Sequence, residues 1–517
     1  MAGRRPNPYP GLLAIALVPA LALGGCWRFA EGRRPAAIVT TIVTTNGTTN
    51  ATTNGTTNGT GGTASTGDTT ASTVPADLAA PLLSVRRSPG VLARDVNAAA
   101  FVDALQPFLA TLDESMCFAL SIDGEPVAAV HETTALRPAS NVKLLTASVA
   151  LEVLGAEFVY TTTVTGRMGD GGVVAGNLAL VGGGDPLLSN SWWNGPNAKY
   201  PPFNVTSIEA LADQVKAAGV TAVTGSVVGD PSRYDDEWYA PSWTDDVRFS
   251  EGGPVSGLLL NDSREALDRS SNDPAVGAAT VFTQLLQERG ITVGGAPTKG
   301  AAVAGEPTIA SIDSQPLPAI LQEMLTTSDN NTAEMVVKEM GLVAGGAATR
   351  EAGLEVVLRT LQSWGIPMDG VALVDGSGLS DDNRLTCNAL LAVLQHGAAD
   401  DPIGNGLPVG GQAGGTLSDA FEQGTPLSGV VRAKTGTLYN YSDGTGGKPG
   451  AKALAGYVPL AGGGAIEFAM LLNGPQISEQ VVYRPIWEQF AAIVAAYPSG
   501  PGADQLGPAR SVAASAG

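Results

Sequence analysis

The chain has 517 residues, enough for two or three domains with a large core. Its net charge of -20 argues against a nucleic-acid partner, because phosphate groups bind to basic surfaces. Its two histidines and three cysteines lack the spacing of metal ligands, so we expect no metal site and no cofactor. Two histidines also leave little for a Ser-His-Asp triad, and a nucleophilic serine would then need a lysine of lowered pKa as its base.

The N-terminus has the pattern of a bacterial export signal. Arg4 and Arg5 precede an apolar run over residues 11–23, which is too short to span a bilayer comfortably. The run ends in Leu23-Gly24-Gly25-Cys26, which resembles a bacterial lipobox and predicts a lipid anchor on Cys26. An ordinary secretory signal and an uncleaved anchor are the alternatives for residues 1–25. All three predict export to the cell envelope or to the outer face of the cytoplasmic membrane.

Residues 26–82 form a predicted tether. From Thr40 to Thr73 the chain is nearly all Thr, Asn, Gly and Ser, and it has too few apolar residues to bury a core. We therefore expect this stretch to be disordered. A flexible coil of about 55 residues has an end-to-end distance of roughly 40 Å. That reach suits a protein held at a membrane and acting on a polymer above it.

The globular part is expected to begin near residue 83. Residues 163–305 are rich in strand patterns, and residues 498–517 are expected to form a disordered tail. Apolar spacing and turn residues predict the following elements in chain order: a helix over Asn97–Leu112, strands over Cys117–Ile122 and Val127–His131, a helix from Pro138 to Leu154, helices over Thr206–Ala218 and Ala278–Arg289, a helical stretch over Leu317–Val343, strands over Val430–Thr437, Ala453–Val458 and Ala465–Leu472, and a helix over Ile477–Ala496.

Three short motifs lie within these elements in a fixed order: Ser140-Asn141-Val142-Lys143, Ser328-Asp329-Asn330 and Lys434-Thr435-Gly436. Ser140 is expected near a helix N-terminus, where the dipole favours a developing oxyanion, with Lys143 one turn later on the same face. The polar triplet at Ser328 interrupts a helical pattern and predicts a break between two helices. Together the motifs indicate a serine acyl-transfer site with Lys143 as the candidate base.

The motif set is similar to that of the penicillin-recognising serine enzymes, and its spacing narrows the resemblance. The gaps are 188 residues (328 − 140) and 106 residues (434 − 328). The long first gap resembles the low-molecular-mass class C penicillin-binding proteins, the D-Ala-D-Ala carboxypeptidase and endopeptidase family that includes penicillin-binding protein 4. Secondary signatures agree, among them Gly182-Gly183-Gly184-Asp185-Pro186 and Asp375-Gly376-Ser377-Gly378-Leu379-Ser380.

The resemblance implies an α/β fold of the penicillin-binding and β-lactamase type. The catalytic domain would comprise residues 83–162 and 306–497, with a five-stranded antiparallel sheet flanked by helices on both faces. A large, strand-rich inserted region, residues 163–305, would split this domain in the sequence. Its purpose cannot be read from the residues.

The resemblance also implies catalytic roles. Ser140 would attack the penultimate carbonyl of a peptidoglycan stem peptide that ends in D-Ala-D-Ala. Lys143 would accept the serine proton, with its pKa lowered by burial and by the nearby cation of Lys434. Ser328 would relay a proton to the leaving D-Ala nitrogen, and water would hydrolyse the acyl-enzyme.

Further residues would bind the substrate. Asn330 would bond its backbone amide, and Lys434 with the Thr435 and Thr437 hydroxyls would hold its terminal carboxylate. The backbone N–H groups of Ser140 and Thr437 would form the oxyanion hole. β-Lactams would acylate the same serine as covalent inhibitors, and the family also includes D,D-endopeptidases.

Two rival functions and several structural interpretations remain. A serine β-lactamase shares the acylation chemistry, and a non-catalytic wall-binding scaffold could keep the fold. The first gap favours the peptidase, and the intact motifs argue against the scaffold. Asp329, His131 and the turn at 375–380 have structural interpretations. Cys117 and Cys387 either pair after export or stay as buried free thiols.

Overall fold

The structure is a computed structural model that describes residues 88–193, 200–266, 269–440 and 449–506. The predicted signal peptide, the tether and the lipidation site Cys26 lie outside these residues. The α-helices in the described ranges are α1 (Pro89–Leu109), α2 (Val142–Leu154), α3 (Ile208–Ala217), α4 (Asp245–Ser250), α5 (Pro274–Glu288), α6 (Leu317–Thr327), α7 (Asn330–Met340), α8 (Arg350–Ser363), α9 (Cys387–His396), α10 (Pro402–Gly406), α11 (Gln480–Ala495) and α12 (Ala503–Leu506).

The strands in the same ranges vary from two to ten residues in length. They are β1 (Met116–Ile122), β2 (Glu125–Val130), β3 (Thr161–Thr165), β4 (Val173–Val174), β5 (Leu178–Val181), β6 (Leu188–Ser189), β7 (Thr206–Ser207), β8 (Ala222–Val223), β9 (Val227–Asp230), β10 (Arg264–Ala266), β11 (Arg269–Ser270), β12 (Thr292–Val293), β13 (Thr298–Lys299), β14 (Thr308–Asp313), β15 (Arg432–Leu438), β16 (Gly450–Pro459) and β17 (Ala465–Gly474).

The main sheet has five antiparallel strands in the order β15-β16-β17-β1-β2. Strands β1 and β2 are far from β15, β16 and β17 in the sequence. The two groups meet where β1 pairs with β17, in the register Cys117↔Leu471. This arrangement confirms the predicted antiparallel sheet and its split in the sequence.

Side chains alternate between the two faces of this sheet, and both faces are buried. Ala119 and Leu471 contribute to a core with α2, α6, α7, α8 and α9. Phe118 and Phe468 contribute to a second core with α1 and α11. Because successive residues of a strand point to opposite faces, nearly continuous apolar strands need a helical layer on each side. The predicted helices on both faces are confirmed.

A disulfide joins Cys117 in β1 to Cys387 at the start of α9, with their Cα atoms 5.9 Å apart. It ties the sheet to a helix that packs against one face. The structure thus selects the disulfide over the free thiols, which the apolar surroundings of both residues left undecided.

The first helix and the C-terminal tail differ from expectation. Helix α1 begins eight residues before the predicted start, because Pro89 fits its first turn. The side chain of Asn97 in α1 contacts the tail, accepting from Gly500 N–H at 2.6 Å and donating to the Pro501 carbonyl at 3.2 Å. The predicted disorder of the tail is therefore wrong as far as residue 506, where α12 ends.

Residues 161–313, which we call the second region, carry another five-stranded sheet, β13-β9-β5-β3-β14. Strands β13, β9 and β5 are parallel, whereas β3 and β14 are antiparallel to their neighbours. Helices α3 and α5 cover the core beside it, and side-chain caps from Ser207 and Asp273 begin these two helices. The sheet runs from residue 161 to residue 313, so it extends beyond the predicted limits of 163 and 305.

Ion pairs connect this second region to α7 and α8. Arg233 bonds Glu339 through Nε at 2.9 Å, and the Tyr234 hydroxyl donates to the same carboxylate at 2.8 Å. Lys338 pairs with Asp235 and donates to the Glu237 carbonyl at 2.7 Å. We call these contacts, together with those of Arg350 with Glu237 and Glu334, the ionic network.

Among the described residues, no helix combines the length and hydropathy needed to cross a membrane.

Candidate active site

Ser140 lies in a short 3-10 turn, Ala139–Asn141, directly before α2. The prediction placed Ser140 within the helix itself, so the position is right and the local conformation differs. Ala139 has a positive φ of 48°, which non-glycine residues adopt rarely. The chain thus changes direction immediately before Ser140, which lines a cleft of about 770 Å³.

Two glycines let other segments approach the back of this turn. A Cβ on Gly378 would lie 1.9 Å from the Ala139 carbonyl oxygen, and Gly378 has a φ of +86°. A Cβ on Gly436 would lie 2.8 Å from the Pro138 carbonyl oxygen and 3.0 Å from the Ala139 Cβ. Only glycine fits at such distances, and at Gly378 the backbone conformation favours glycine as well. The close approach at Gly436 brings β15 beside Ser140.

Lys143 lies one turn after Ser140 and is fully buried. Its Nζ is 3.0 Å from Ser140 Oγ, 2.6 Å from Asn330 Oδ1 and 2.6 Å from the Ser377 carbonyl oxygen. Burial lowers the pKa of Lys143 to about 8, against the attraction of more distant carboxylates, of which Asp375 has the largest effect. A lysine in this environment can lose and regain a proton near neutral pH.

The second motif forms the predicted break between two helices. Helix α6 ends at Thr327, Ser328 has a left-handed conformation (φ 69°, ψ 35°), and Asp329 caps α7 by accepting from Thr332 N–H at 2.9 Å. The break aims the Ser328 hydroxyl into the cleft and starts α7 at Asn330. Asp329 thus has the structural role that the sequence favoured.

Asn330 links the two regions of the molecule at the site. Its Oδ1 accepts from Lys143, and its Nδ2 donates to the Glu251 carbonyl at 2.8 Å. Both ends of the amide are therefore fixed, with the oxygen facing the lysine. Glu251 directly follows α4 and also lines the cleft, so the second region forms part of the cleft wall.

Lys434 lies in β15 and is also fully buried. Its Nζ is 2.8 Å from Ser328 Oγ and 2.8 Å from the Thr435 carbonyl oxygen. The pKa of Lys434 is lowered well below its usual range. Burial is the largest cause, and repulsion from Lys143 and Lys452 adds to it. Burial is the largest cause of the lowered pKa of Lys143, and repulsion between Lys143 and Lys434 favours the neutral form of one of the two lysines.

Thr435 and Thr437 line the cleft with Ser140, Ser328 and Asn330. The structure thus brings together the predicted side chains of all three motifs. The oxyanion hole, formed by the backbone N–H groups of Ser140 and Thr437, stays a prediction. The close approach of β15 to the turn at Pro138 and Ala139 is compatible with it.

The turn at 375–380 belongs to the site as well as to the architecture. The Ser377 carbonyl holds Lys143, and Glu334 in α7 fixes this turn by accepting from Gly376 N–H at 2.9 Å and Ser377 N–H at 2.8 Å. Asp375 accepts from Gly378 N–H at 2.8 Å within the same turn. The resemblance pointed to this segment, but a backbone carbonyl as the contact has no signal in side-chain patterns.

Lys452 is a site residue that the sequence analysis missed. It lies in β16 opposite Thr437, and its Nζ donates to Thr437 Oγ1 at 2.8 Å. Its Nζ is also 4.2 Å from the ring centroid of Tyr483 and 5.3 Å from that of Trp487. The sequence signal for Lys452 was its place as a charged residue next to an apolar strand pattern. The predicted strand began one residue later, at Ala453.

The sequence matches the D-Ala-D-Ala carboxypeptidase 3 (S13) family over residues 120–267 and 261–497. Among curated proteins, it is 31% identical over 412 residues to carboxypeptidase DacB of Mycolicibacterium smegmatis, which covers 74% of this chain and 83% of that protein. The family match includes every residue of the three motifs.

Solved structures with the same fold include penicillin-binding protein 4 of Haemophilus influenzae. The TM-score is 0.61 at 20% identity, with 76% of this chain and 99% of that chain covered. The same protein complexed with a β-lactam has a TM-score of 0.54 at 20% identity, covering 74% and 96% of the two chains. These likenesses support the assignment of the fold.

Proposed function

Because the chain belongs to the D-Ala-D-Ala carboxypeptidase 3 (S13) family, we propose that it removes the terminal D-Ala from peptidoglycan stem peptides through an acyl-enzyme on Ser140. One observation carries the proposal. Lys143 Nζ lies 3.0 Å from Ser140 Oγ, and burial lowers the pKa of this lysine to about 8. Nucleophile and base are therefore within hydrogen-bond distance, and the base is close to its titration point.

In the acylation step, Ser140 Oγ bonds to the carbonyl carbon of the penultimate D-Ala while its proton passes to neutral Lys143. With a pKa of about 8, roughly a tenth of the enzyme has neutral Lys143 at pH 7. Asn330 and the Ser377 carbonyl accept hydrogen bonds from Lys143 and hold its nitrogen toward the serine. The backbone N–H groups of Ser140 and Thr437 receive the developing oxyanion.

Departure of D-Ala breaks the C–N bond and requires a proton on the leaving nitrogen. Ser328, whose hydroxyl faces the cleft beside Lys434, relays this proton. Its hydroxyl proton passes to the leaving nitrogen while its oxygen takes up the proton that Lys143 accepted from Ser140, so both groups regain their starting protonation states. The carboxylate of the leaving D-Ala binds at Lys434, Thr435 and Thr437. A carboxylate there favours the protonated form of Lys434, and a protonated Lys434 repels a proton on Lys143. The correct substrate thus helps to keep the base neutral.

Deacylation returns the enzyme to its starting state. Water adds to the ester carbonyl, the Ser140 ester bond breaks, and the serine oxygen regains its proton. A β-lactam acylates Ser140 in the same way, but its leaving group stays attached after the ring opens. A peptide cross-link with a D-Ala carbonyl fits the same chemistry, so D,D-endopeptidase activity belongs to the proposal as a second substrate form.

The test is covalent labelling combined with product analysis. Labelled penicillin is expected to bond to Ser140 with one label per chain, and Ser140→Ala is expected to abolish labelling. Digestion of purified muropeptides should release D-Ala from pentapeptide stems. Absence of labelling in the wild type, or undiminished labelling of the alanine variant, would overturn the proposal.

The β-lactamase alternative differs only in deacylation. Turnover of nitrocefin, a chromogenic cephalosporin, distinguishes the two functions, because a peptidase is acylated once and recovers slowly. Rapid multiple turnover would favour the β-lactamase. A protein that binds cell wall but neither takes up label nor releases D-Ala would match the scaffold alternative.

The cellular location completes the proposal. An export signal, a lipid on Cys26 and a tether over residues 26–82 would hold the enzyme at the outer face of the membrane, within reach of the wall. Metabolic labelling with a tagged fatty acid is expected to mark the wild type and not Cys26→Ser. Residues 163–305 would form the inserted part of the split catalytic domain, with limits to be drawn by proteolysis.

A further inference from the structure

A segment of the second region reaches both groups that hold the candidate base. This segment, residues 243–253, contains α4, and we call it the bridging segment. Trp243 at its start is buried and belongs to a small apolar cluster with Leu379. The Trp243 Nε1–H also donates to Asp375 Oδ2 at 2.8 Å. Both contacts are with the turn at 375–380, so the start of the bridging segment is attached to that turn.

Asp375 carries this contact toward the base. Its fully buried carboxylate also accepts from Gly378 N–H at 2.8 Å and from Ser380 N–H at 2.6 Å. Because Asp375 precedes Ser377 and the two backbone donors follow it, the carboxylate closes the turn around the carbonyl that accepts from Lys143. A buried carboxylate depends on each of its donors, so loss of the indole N–H is expected to shift this turn and its carbonyl.

The other end of the bridging segment holds Asn330. The Glu251 carbonyl accepts from Asn330 Nδ2 at 2.8 Å, which leaves Asn330 Oδ1 facing Lys143. Asn331 fixes the chain beside that carbonyl, because its Oδ1 accepts from Gly253 N–H at 2.7 Å. A Cβ on Gly253 would lie 2.4 Å from Asn331 Nδ2, so only glycine allows this close approach.

The amide of Asn331 is held at its other end as well. Its Nδ2 donates to Asp262 Oδ1 at 3.1 Å, in a turn of the second region where Asn261, Asp262 and Ser263 all have φ values between 50° and 64°. Three successive non-glycine residues in the left-handed region are unfavourable, and the surrounding contacts must impose this conformation. The buried side chain of Asn331 therefore has one defined orientation between two parts of the second region.

We propose that the bridging segment positions the base through two buried residues, Trp243 and Asn331. Trp243 acts through Asp375, and Asn331 acts through the carbonyl of Glu251. Both are positioning residues, since the residues that line the cleft include neither of them. This inference rests on the proposed function, in which Lys143 is the base. It gives part of the inserted region a role in catalysis.

The experiment separates binding from acylation. Rapid mixing with a series of labelled penicillin concentrations gives the maximal acylation rate and the half-saturating concentration. Trp243→Phe keeps an aromatic ring and removes the N–H donor. It should lower the maximal rate about 10-fold and leave the half-saturating concentration near that of the wild type, because a displaced base slows proton transfer. Final labelling should still reach one label per chain.

Two further variants complete the comparison. Asn331→Ala tests the other end of the bridging segment and should give the same pattern, with a maximal rate lowered about 10-fold and complete final labelling. The matched control is Trp364→Phe, the same chemical change at a tryptophan directly after α8 that stacks on His396 with 3.9 Å between ring centroids. Its maximal rate should equal that of the wild type.

Three results would overturn the inference. The first is a maximal rate near that of the wild type in either fully labelled variant, and the second is an equal fall in the control. The third is incomplete final labelling by both Trp243→Phe and Asn331→Ala, with a normal rate for the fraction that reacts, which would mean that the two residues serve folding alone. Failure of the wild type to take up label would instead overturn the proposed function.

Discussion

Helix α7 has buried cations near both of its ends, and the two sets of cations contact different kinds of oxygen. Near its N-terminus, Lys143 and Lys434 contact hydroxyl, amide and carbonyl oxygens. Toward its C-terminus, Lys338 and Arg350 contact carboxylates of Asp235, Glu237 and Glu334. Residues 330 and 338 are about 12 Å apart along the helix.

The contrast shows that a buried cation can be stabilised in this fold by carboxylates or by neutral oxygens. At the network end, burial lowers the pKa of Lys338, and the bonded carboxylate of Asp235 opposes this lowering. At the site end, Lys143 and Lys434 are held by neutral oxygens, so burial lowers their pKa values without a bonded carboxylate to oppose it. The carboxylates of the network thus favour the charged form of its cations, and the site lacks such partners among the bonded groups of its two lysines.

The largest expected effect comes from replacing one lysine with methionine near each end of α7. Lys143→Met should slow acylation by labelled penicillin at least about 10³-fold, because the serine loses its base. Its melting temperature should stay equal or rise, since an unfavourably buried cation is removed. Lys338→Met, the matched control, should lower the melting temperature and leave the acylation rate of the folded protein near that of the wild type. Similar destabilisation in both variants would break the comparison.

The second prediction concerns Arg350, whose Nε is 2.7 Å from Glu334 in a buried pair. Arg350→Met should cost about 3–5 kcal/mol of unfolding free energy, because Glu334 is left as a buried carboxylate without its cation. Urea denaturation measures this loss. Adding Glu334→Gln to the variant should restore part of the stability, and a loss below about 1 kcal/mol in Arg350→Met would speak against the assigned role.

The third prediction asks whether the catalytic sheet depends on its covalent link. The double variant Cys117→Ala, Cys387→Ala should lose about 2–5 kcal/mol of unfolding free energy. Its acylation rate should be unchanged, since neither cysteine lines the cleft. Denaturation of the wild type with and without reductant gives the matching comparison. Equal stability in both conditions would contradict the expectation.

The smallest expected effect is a difference in pH dependence. The pKa of Lys143 is about 8 in the folded protein and near its ordinary value of 10.5 when unfolded. Between these values the unfolded chain binds more protons, so the contribution of Lys143 to stability rises with pH. The wild type should gain about 1 kcal/mol relative to Lys143→Met between pH 8 and pH 9. The acylation rate should rise through the same range, and a flat rate profile would argue against Lys143 as the base.

The parts of the site that the sequence predicted are those encoded in local motifs. Ser140 and Lys143 are one turn apart, and Ser328 sits at a break in a helical pattern, so both follow from short-range rules. Their meeting across 188 residues follows from the family resemblance, because no local pattern specifies a contact over such a gap. The antiparallel sheet and the helices that cover it were likewise predicted from short-range sequence patterns and from the family resemblance.

The missed parts depend on contacts between distant segments. Lys338 and Glu339 resemble a solvated helix face in the sequence, and they are buried with partners from residues 233–237. Glu334 is likewise buried, with Arg350 as its partner. Lys452 becomes a site residue only through the register of β15 against β16. The choice between a disulfide and free thiols likewise needed the 5.9 Å separation of the two Cα atoms.

The tight packing behind Ser140 has a consequence for the evolution of antibiotic resistance. Gly378 and Gly436 leave no room for a side chain next to Pro138 and Ala139. Substitutions at these glycines would displace the nucleophile, and selection would remove them together with the enzyme activity. Escape from a β-lactam should therefore accumulate at other residues that line the cleft, such as Thr244 and Tyr439. Serial passage under drug selection is expected to yield substitutions at such positions and none at the two glycines.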